Sequence, residues 1–297
     1  MAARLLVRVQ DQTSLTPLQN KVIVKAKLIK DLIHVHLKSA EHDPTWKKQS
    51  ESHGNRDTII YYKVEDYKLT CRIETPIEAS LLVPLLAVIV ESDLYDTWMP
   101  KFTFPFRMGV RKSVKLKDQP GRGAQVCQVT VDMPFPIADR EVVYDSFAVD
   151  AIDELGLISL HGASIPVGAE DGLVQPPEPG VKRIDMEAGW VIRQCPDDYP
   201  CLRNSKHRYP EGEHLILLSL TQFCDAHVSY VPQSFVNFSV RTALNGQWGS
   251  LLQVAQDVKE GKRPDHARVI GEKQELYGWI NQRIDAMYAK LSHADNN

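Results

Sequence analysis

No stretch of this chain is long and apolar enough to cross a membrane as a helix. The longest apolar run, residues 79–90 (ASLLVPLLAVIV), covers about half a membrane span, contains a proline and is followed by Glu91, so it predicts a buried helix. The first nine residues carry two arginines without the apolar core of a signal peptide, and the expected location is cytoplasmic. Cysteines are few and odd in number: five, at 71, 127, 195, 201 and 224, which argues against a disulfide framework. Cys195 and Cys201 flank Pro-Asp-Asp-Tyr-Pro, not a zinc-knuckle spacing, and His34 and His36 stand two apart on a predicted helix, where they do not face each other. No metal site is expected. A formal net charge of -3 gives no reason to expect nucleic acid as a partner. Catalytic signatures are missing too. Gly121-Arg-Gly123 precedes a strand and no helix, so it reads as a turn and not a phosphate cradle. There is no nucleophile elbow, zinc-protease helix or kinase motif, so neither an enzyme nor a cofactor is expected.

What is present is an ordinary globular composition, 43% hydrophobic and 25% charged over 297 residues. Leu18, Val22, Leu28, Ile29, Leu32 and Ile33 follow helical spacing near the start, and the polar stretch 42–57 reads as loop anchored by Trp46. Residues 58–64 and 67–73 are rich in β-branched and aromatic side chains and predict a hairpin. The apolar helix follows, and then strand candidates at 102–116, 125–132, 140–151, 156–164, 183–193 and 214–223, punctuated by Gly and Pro. The clearest alternation puts Ile184, Met186, Ala188, Trp190 and Ile192 on one face, with Arg183, Asp185, Glu187 and Arg193 on the other. An apolar sheet face needs a cover. Residues 231–258 supply amphipathic helix for it, with Asn245-Gly246 as a candidate interruption, and a further amphipathic helix spans 265–291. The fold class is therefore α+β. One domain at 45–260 is expected, with a helical extension at 1–44 and an additional C-terminal helix within 261–297.

Five short motifs in fixed order resemble the START family of lipid-transfer domains. They are Trp46 with Ile60-Tyr61-Tyr62; Glu91 through Trp98-Met99-Pro100; the Pro134-Phe135-Pro136 stretch leading into Arg140-Glu141; Arg183 with Gly189-Trp190; and Val231-Pro232 followed by Asn237. The family's usual Arg-Asp pair is Arg140-Glu141 here, and its glycine-led turn before the last helix is replaced by residues 223–228, Phe-Cys-Asp-Ala-His-Val.

The resemblance implies the helix-grip fold: a curved antiparallel sheet wrapped around a long C-terminal helix, with a hydrophobic tunnel between them. It implies a lipid ligand of the sterol, phospholipid or sphingolipid class, a transient membrane surface as partner, and a gate at residues 133–139 with Phe135 exposed for membrane contact. A lipid filling such a tunnel gains roughly 25 cal/mol per Å² of apolar surface buried. Polar side chains on apolar strands, Arg107, Gln128, Asp132 and His161, are candidate headgroup contacts. Met186 and Trp190 on the sheet, with Phe235 and Phe238 on the covering helix, are candidate tunnel contacts. The alternative is a helix-grip cyclase or hydrolase acting on a hydrophobic substrate, which would need two or more polar groups converging inside the cavity.

Overall fold

The structure is a computed structural model that describes residues 17–53, 56–65, 68–103, 108–207, 209–210, 212–225 and 233–294; at 17–22, 68, 233–243 and 291–294 it describes the backbone alone. The chain forms two compact units, Met1–Pro44 and Thr45–Asn297. In the first, α1 (Pro17–Leu37) is a 21-residue helix with His34 and His36 in its last turn.

The second unit is built on one sheet of eleven strands. In chain order they are β1 (Lys47–His53), β2 (Asp57–Glu65), β3 (Lys68–Glu78), β4 (Lys101–Phe102), β5 (Met108–Asp118), β6 (Gln125–Asp132), β7 (Asp139–Ala151), β8 (Leu157–Ser164), β9 (Val181–Arg183), β10 (Asp185–Gln194) and β11 (Leu215–Asp225). The order across the sheet is β1-β2-β3-β11-β10-β8-β7-β6-β5-β4. Neighbours on that path are antiparallel, and β9 adds a short parallel pairing to β7.

Helices cover one face. The 79–90 run forms a single 3₁₀ turn and then α2 (Leu82–Val90), apolar on all sides and largely buried, as its composition requires. The long α3 (Gln233–Lys259), α4 (Pro264–Glu272) and α5 (Gln274–Ala294) follow the last strand. The main core joins Ile73 and Ile77 of β3, Leu218 and Leu220 of β11, Leu85 and Val88 of α2, Leu251 and Ala255 of α3, and Ile280 and Ile284 of α5.

Three elements differ from the sequence expectation. The polar segment 42–57 is not all loop: β1 lies in it, paired with β2 at the sheet edge, where no apolar residue is needed. Asn245-Gly246 does not interrupt α3, which is continuous. Gly246 brings the helix against the rim of the sheet, since a Cβ there would sit 3.6 Å from the Phe102 ring and 3.7 Å from Pro100. The single helix expected at 265–291 is two, broken at Lys273.

The C-terminal helices belong to the same compact unit as the sheet. Buried Glu91, at the end of α2, accepts hydrogen bonds from Tyr277 Oη (2.6 Å) and Lys273 Nζ (2.5 Å). Tyr288 Oη donates to the Ala79 carbonyl over 2.7 Å, and Arg283 pairs with Asp150 and Asp153.

Candidate functional site

Between the sheet and its helical cover lies a cavity of about 310 Å³. Its walls come from β5 to β8, β10 and β11, from the end of α2, and from α3 through Leu244, Gln247, Trp248 and Leu251. The alternation of β10 decides what faces it. Ile184, Met186, Ala188 and Trp190 line the cavity, whereas Ile192 continues the same face into the solid core beneath α2 and α3. Trp190 stacks on Trp248 with ring centroids 5.6 Å apart and planes 12° from parallel. At β4 and β5 the rim is tight: a Cβ at Gly109 would lie 2.9 Å from the Lys101 Cα and the Pro100 carbonyl. Glycine is therefore required there.

No lysine, arginine, aspartate or glutamate is among the described lining residues. Most polar groups in the wall are spoken for by protein. Gln125 Nε2 donates to the Val90 carbonyl over 2.8 Å, and Tyr95 Oη donates to the Ile89 carbonyl over 2.5 Å. Tyr144 hydrogen-bonds to Tyr95 and Cys127, and the Cys127 thiol also reaches Ser92 Oγ at 3.1 Å. Burial pushes both phenols well above their ordinary range and the Cys127 thiol up to about 11. These groups stay neutral at physiological pH.

The expected site residues separate into three groups. Met186 and Trp190 line the cavity. Gln128 and Asp132 do not. On β6 the inward residues are Gln125, Val129 and Val131, so strand alternation turns Gln128 and Asp132 to the opposite face. There Gln128 donates to Glu141, and Asp132 pairs with Arg111 at 3.2 Å. His161 contributes to the wall beside Gly162, but the alternation of β8 turns its ring outward. Its Nε2 lies 3.2 Å from Glu187 Oε1, and its ring tilts against Phe147 at 5.5 Å. Gln128 and Asp132 are not among the described lining residues and His161 is, and each of the three side chains has a protein partner. Arg107, and the side chains of Phe235 and Phe238, lie outside the described residues.

Sequence reasoning missed Tyr95, Tyr144, Trp248, Gln222 and Gln247. A signal existed for the glutamines. Gln222 falls in register with inward Leu218 and Leu220 on β11. Gln247 lies three residues after Leu244 and four before Leu251, which places all three on the cavity side of α3.

In the loop at 133–139, Phe135 and Pro136 are exposed. Phe135 is 96% exposed. The base of the loop is tied, with Met133 N donating to Asp139 Oδ1 (3.0 Å), Ile137 N to the Pro134 carbonyl (2.8 Å) and Arg111 Nη1 to Asp139 Oδ2 (2.8 Å). No described helix is long and apolar enough to cross a membrane.

No family model matches the sequence, and no curated protein matches it. Solved structures do match. Human STARD10 aligns at TM-score 0.56 and 15% identity, covering 80% of this chain and 84% of that one. Human StAR-related lipid transfer protein 5 aligns at 0.55 and 15%, covering 78% and 97%. A fragment of a STAR-related lipid transfer protein from Xanthomonas axonopodis aligns at 0.50 and 18%, covering 71% and 99%. An open antiparallel sheet with a long C-terminal helix packed on it is the helix-grip arrangement, and the chain has the fold of a START domain.

Proposed function

We propose that this protein holds one lipid in the cavity between sheet and α3, for transfer between membranes or for lipid sensing. The observation that carries the reading is the lining: apolar side chains, no charge among the described residues, and polar groups mostly bonded to protein. A cavity of about 310 Å³ is at the small end of the usual range for ligand sites, roughly 300–1,000 Å³. Two structural neighbours carry lipid transfer in their names, in agreement with this reading. Met186 and Trp190 would contact the apolar body of the ligand. Phe235 and Phe238 are proposed to do so from the covering helix, and Arg107 is kept as a candidate at the polar end.

The exposed Phe135, on a loop joining two cavity-lining strands, fits transient contact with a membrane surface. The helix-grip enzyme reading has less support. Among the described lining residues other than His161, which is bonded to Glu187, its general base would have to be a phenol or thiol whose proton burial holds more tightly, the reverse of activation.

The test is native mass spectrometry of the purified protein, before and after incubation with lipid vesicles. A 1:1 lipid adduct is expected. Protein that carries no lipid and takes none from vesicles of mixed sterol, phospholipid and sphingolipid would refute the reading.

A further inference from the structure

Besides the buried Trp98 indole N–H, which has no hydrogen-bond partner among the described residues, two side-chain amides in the cavity wall are unpartnered. Gln222, on β11, has Ala188 of β10 as its cross-strand partner, one diagonal step from Trp190. Gln247, on α3, immediately precedes Trp248, whose ring stacks on Trp190. One amide comes from the sheet and the other from the helix facing it, each a near neighbour, in register or in sequence, of one ring of the same stack. Both line the cavity, and neither side-chain amide has a hydrogen-bond partner among the described residues. Gln125 provides the contrast, because the same side chain in the same wall is fixed to the Val90 carbonyl.

Both residues are half-buried, and a ligand that displaced water from the cavity would cost each amide about 1–3 kcal/mol unless it offered hydrogen bonds in return. Each offers two donors and a carbonyl acceptor, and neither carries charge. That chemistry suits a hydroxyl, ester or amide, which both gives and takes neutral hydrogen bonds. It suits a phosphate or carboxylate poorly, since a buried anion requires a cation that two amides do not supply, and tight phosphate binding would instead favour Arg107 as the polar end.

We infer that Gln222 and Gln247 form the polar end of the site and select an uncharged lipid bearing a hydroxyl or carbonyl group at its buried end. The inference rests on the lipid-binding reading and narrows it to a chemical class. Both glutamines are specificity-determining residues in it.

Three probes of one chain length separate the possibilities: 1-hexadecanol, hexadecyl phosphate and hexadecane, each titrated by native mass spectrometry. The alcohol should bind at least tenfold more tightly than the phosphate. Gln222→Leu and Gln247→Leu should each weaken the alcohol about 3- to 10-fold, the loss of one neutral hydrogen bond, and leave hexadecane unchanged. Thermal melts of both variants should match or exceed the parent, because an apolar side chain replaces an unpartnered amide. If Leu disturbs folding at either position, Met replaces it in the same titration. Phosphate binding as tight as the alcohol, or variants that bind the alcohol like the parent, overturns the inference while leaving lipid binding intact. Failure of all three probes, with no lipid adduct from mixed vesicles, removes the lipid reading itself.

Discussion

Trp248 of α3 donates its indole Nε1–H to Thr75 Oγ1 of β3 over 2.8 Å, with both residues buried. Thr75 in turn shares a 3.0 Å hydrogen bond with Thr58 of β2, so one side chain of the helix is tied through two strands. Because a face of that indole stacks on Trp190 while its edge donates to Thr75, Trp248 is both a cavity wall and the polar fastening of the helix.

Trp248→Ala should therefore cost about 3–5 kcal/mol, the range for emptying a large aromatic site in a core. Trp248→Phe should cost less, about 1–3 kcal/mol, chiefly from leaving the Thr75 hydroxyl short of a donor. Urea unfolding midpoints check both, and a Phe variant as stable as the parent would show that the hydrogen bond contributes nothing.

His266 of α4 is fully buried, and its ring nitrogens have no partner among the described residues. Burial, helped by the Arg263 charge and opposed by Glu91 and Asp265, lowers its pKa below 6.5. The unfolded chain thus binds the proton more readily than the folded one. Stability from this group is complete above the unfolded value of about 6.5 and falls as the pH drops below it. His266→Leu should remove that dependence, narrowing the stability difference between pH 7.5 and pH 5.5 by ~1 kcal/mol. Denaturant titrations at the two pH values measure it, and an unchanged difference would locate the pH dependence elsewhere.

Asp57 behaves in the opposite sense. Burial alone would raise its pKa, but hydrogen bonds from Ser205, His53 and Tyr209 outweigh it and hold the carboxyl below the usual aspartate value. Its contribution is present above the unfolded pKa of about 4 and disappears as the pH falls through the lower folded value. Asp57→Asn should be destabilised by about 1–3 kcal/mol at pH 7, with the gap from the parent closing in acid below about pH 4. A gap that persists at about pH 2.5 would mean that packing, not charge, is lost.

Phe135→Asp tests the membrane contact. The side chain touches little protein, so the melting temperature should change by less than the equivalent of about 0.5 kcal/mol. Burying a phenylalanine in an apolar phase gains about 1.5–3 kcal/mol, so binding to neutral vesicles should weaken roughly tenfold or more. Vesicle co-sedimentation that is indifferent to the substitution would remove this loop from the interface.

Much of the architecture was legible because it rests on period. The two-residue alternation of 184–192 is clean, since one face of β10 is apolar and the other is charged. On β6 the pattern does not tell which way Gln128 and Asp132 face. Val126 packs outward with Val143 and Val174 in a second small core, while Val129 and Val131 face the cavity. With both faces apolar, alternation no longer tells inside from outside. β1 escaped notice for the converse reason, as an edge strand of lysine, serine and glutamate has no hydrophobic period to read. Gly246 was ambiguous because glycine marks both breaks and close approaches, and only the nearness of Phe102 decides which.

The second half of α3 is clamped. Trp248, Leu251, Leu252, Val254 and Ala255 are all buried in the main core, among residues of the sheet, α2 and α5. Mechanically the helix is a cantilever, fixed at its C-terminal end. Swinging it away as a rigid bar would expose that core and cost nearly as much as unfolding the domain, whereas peeling its first turns costs only the contacts those turns make. On the lipid-binding reading, lifting α3 as a rigid bar is therefore not the route by which a ligand is exchanged.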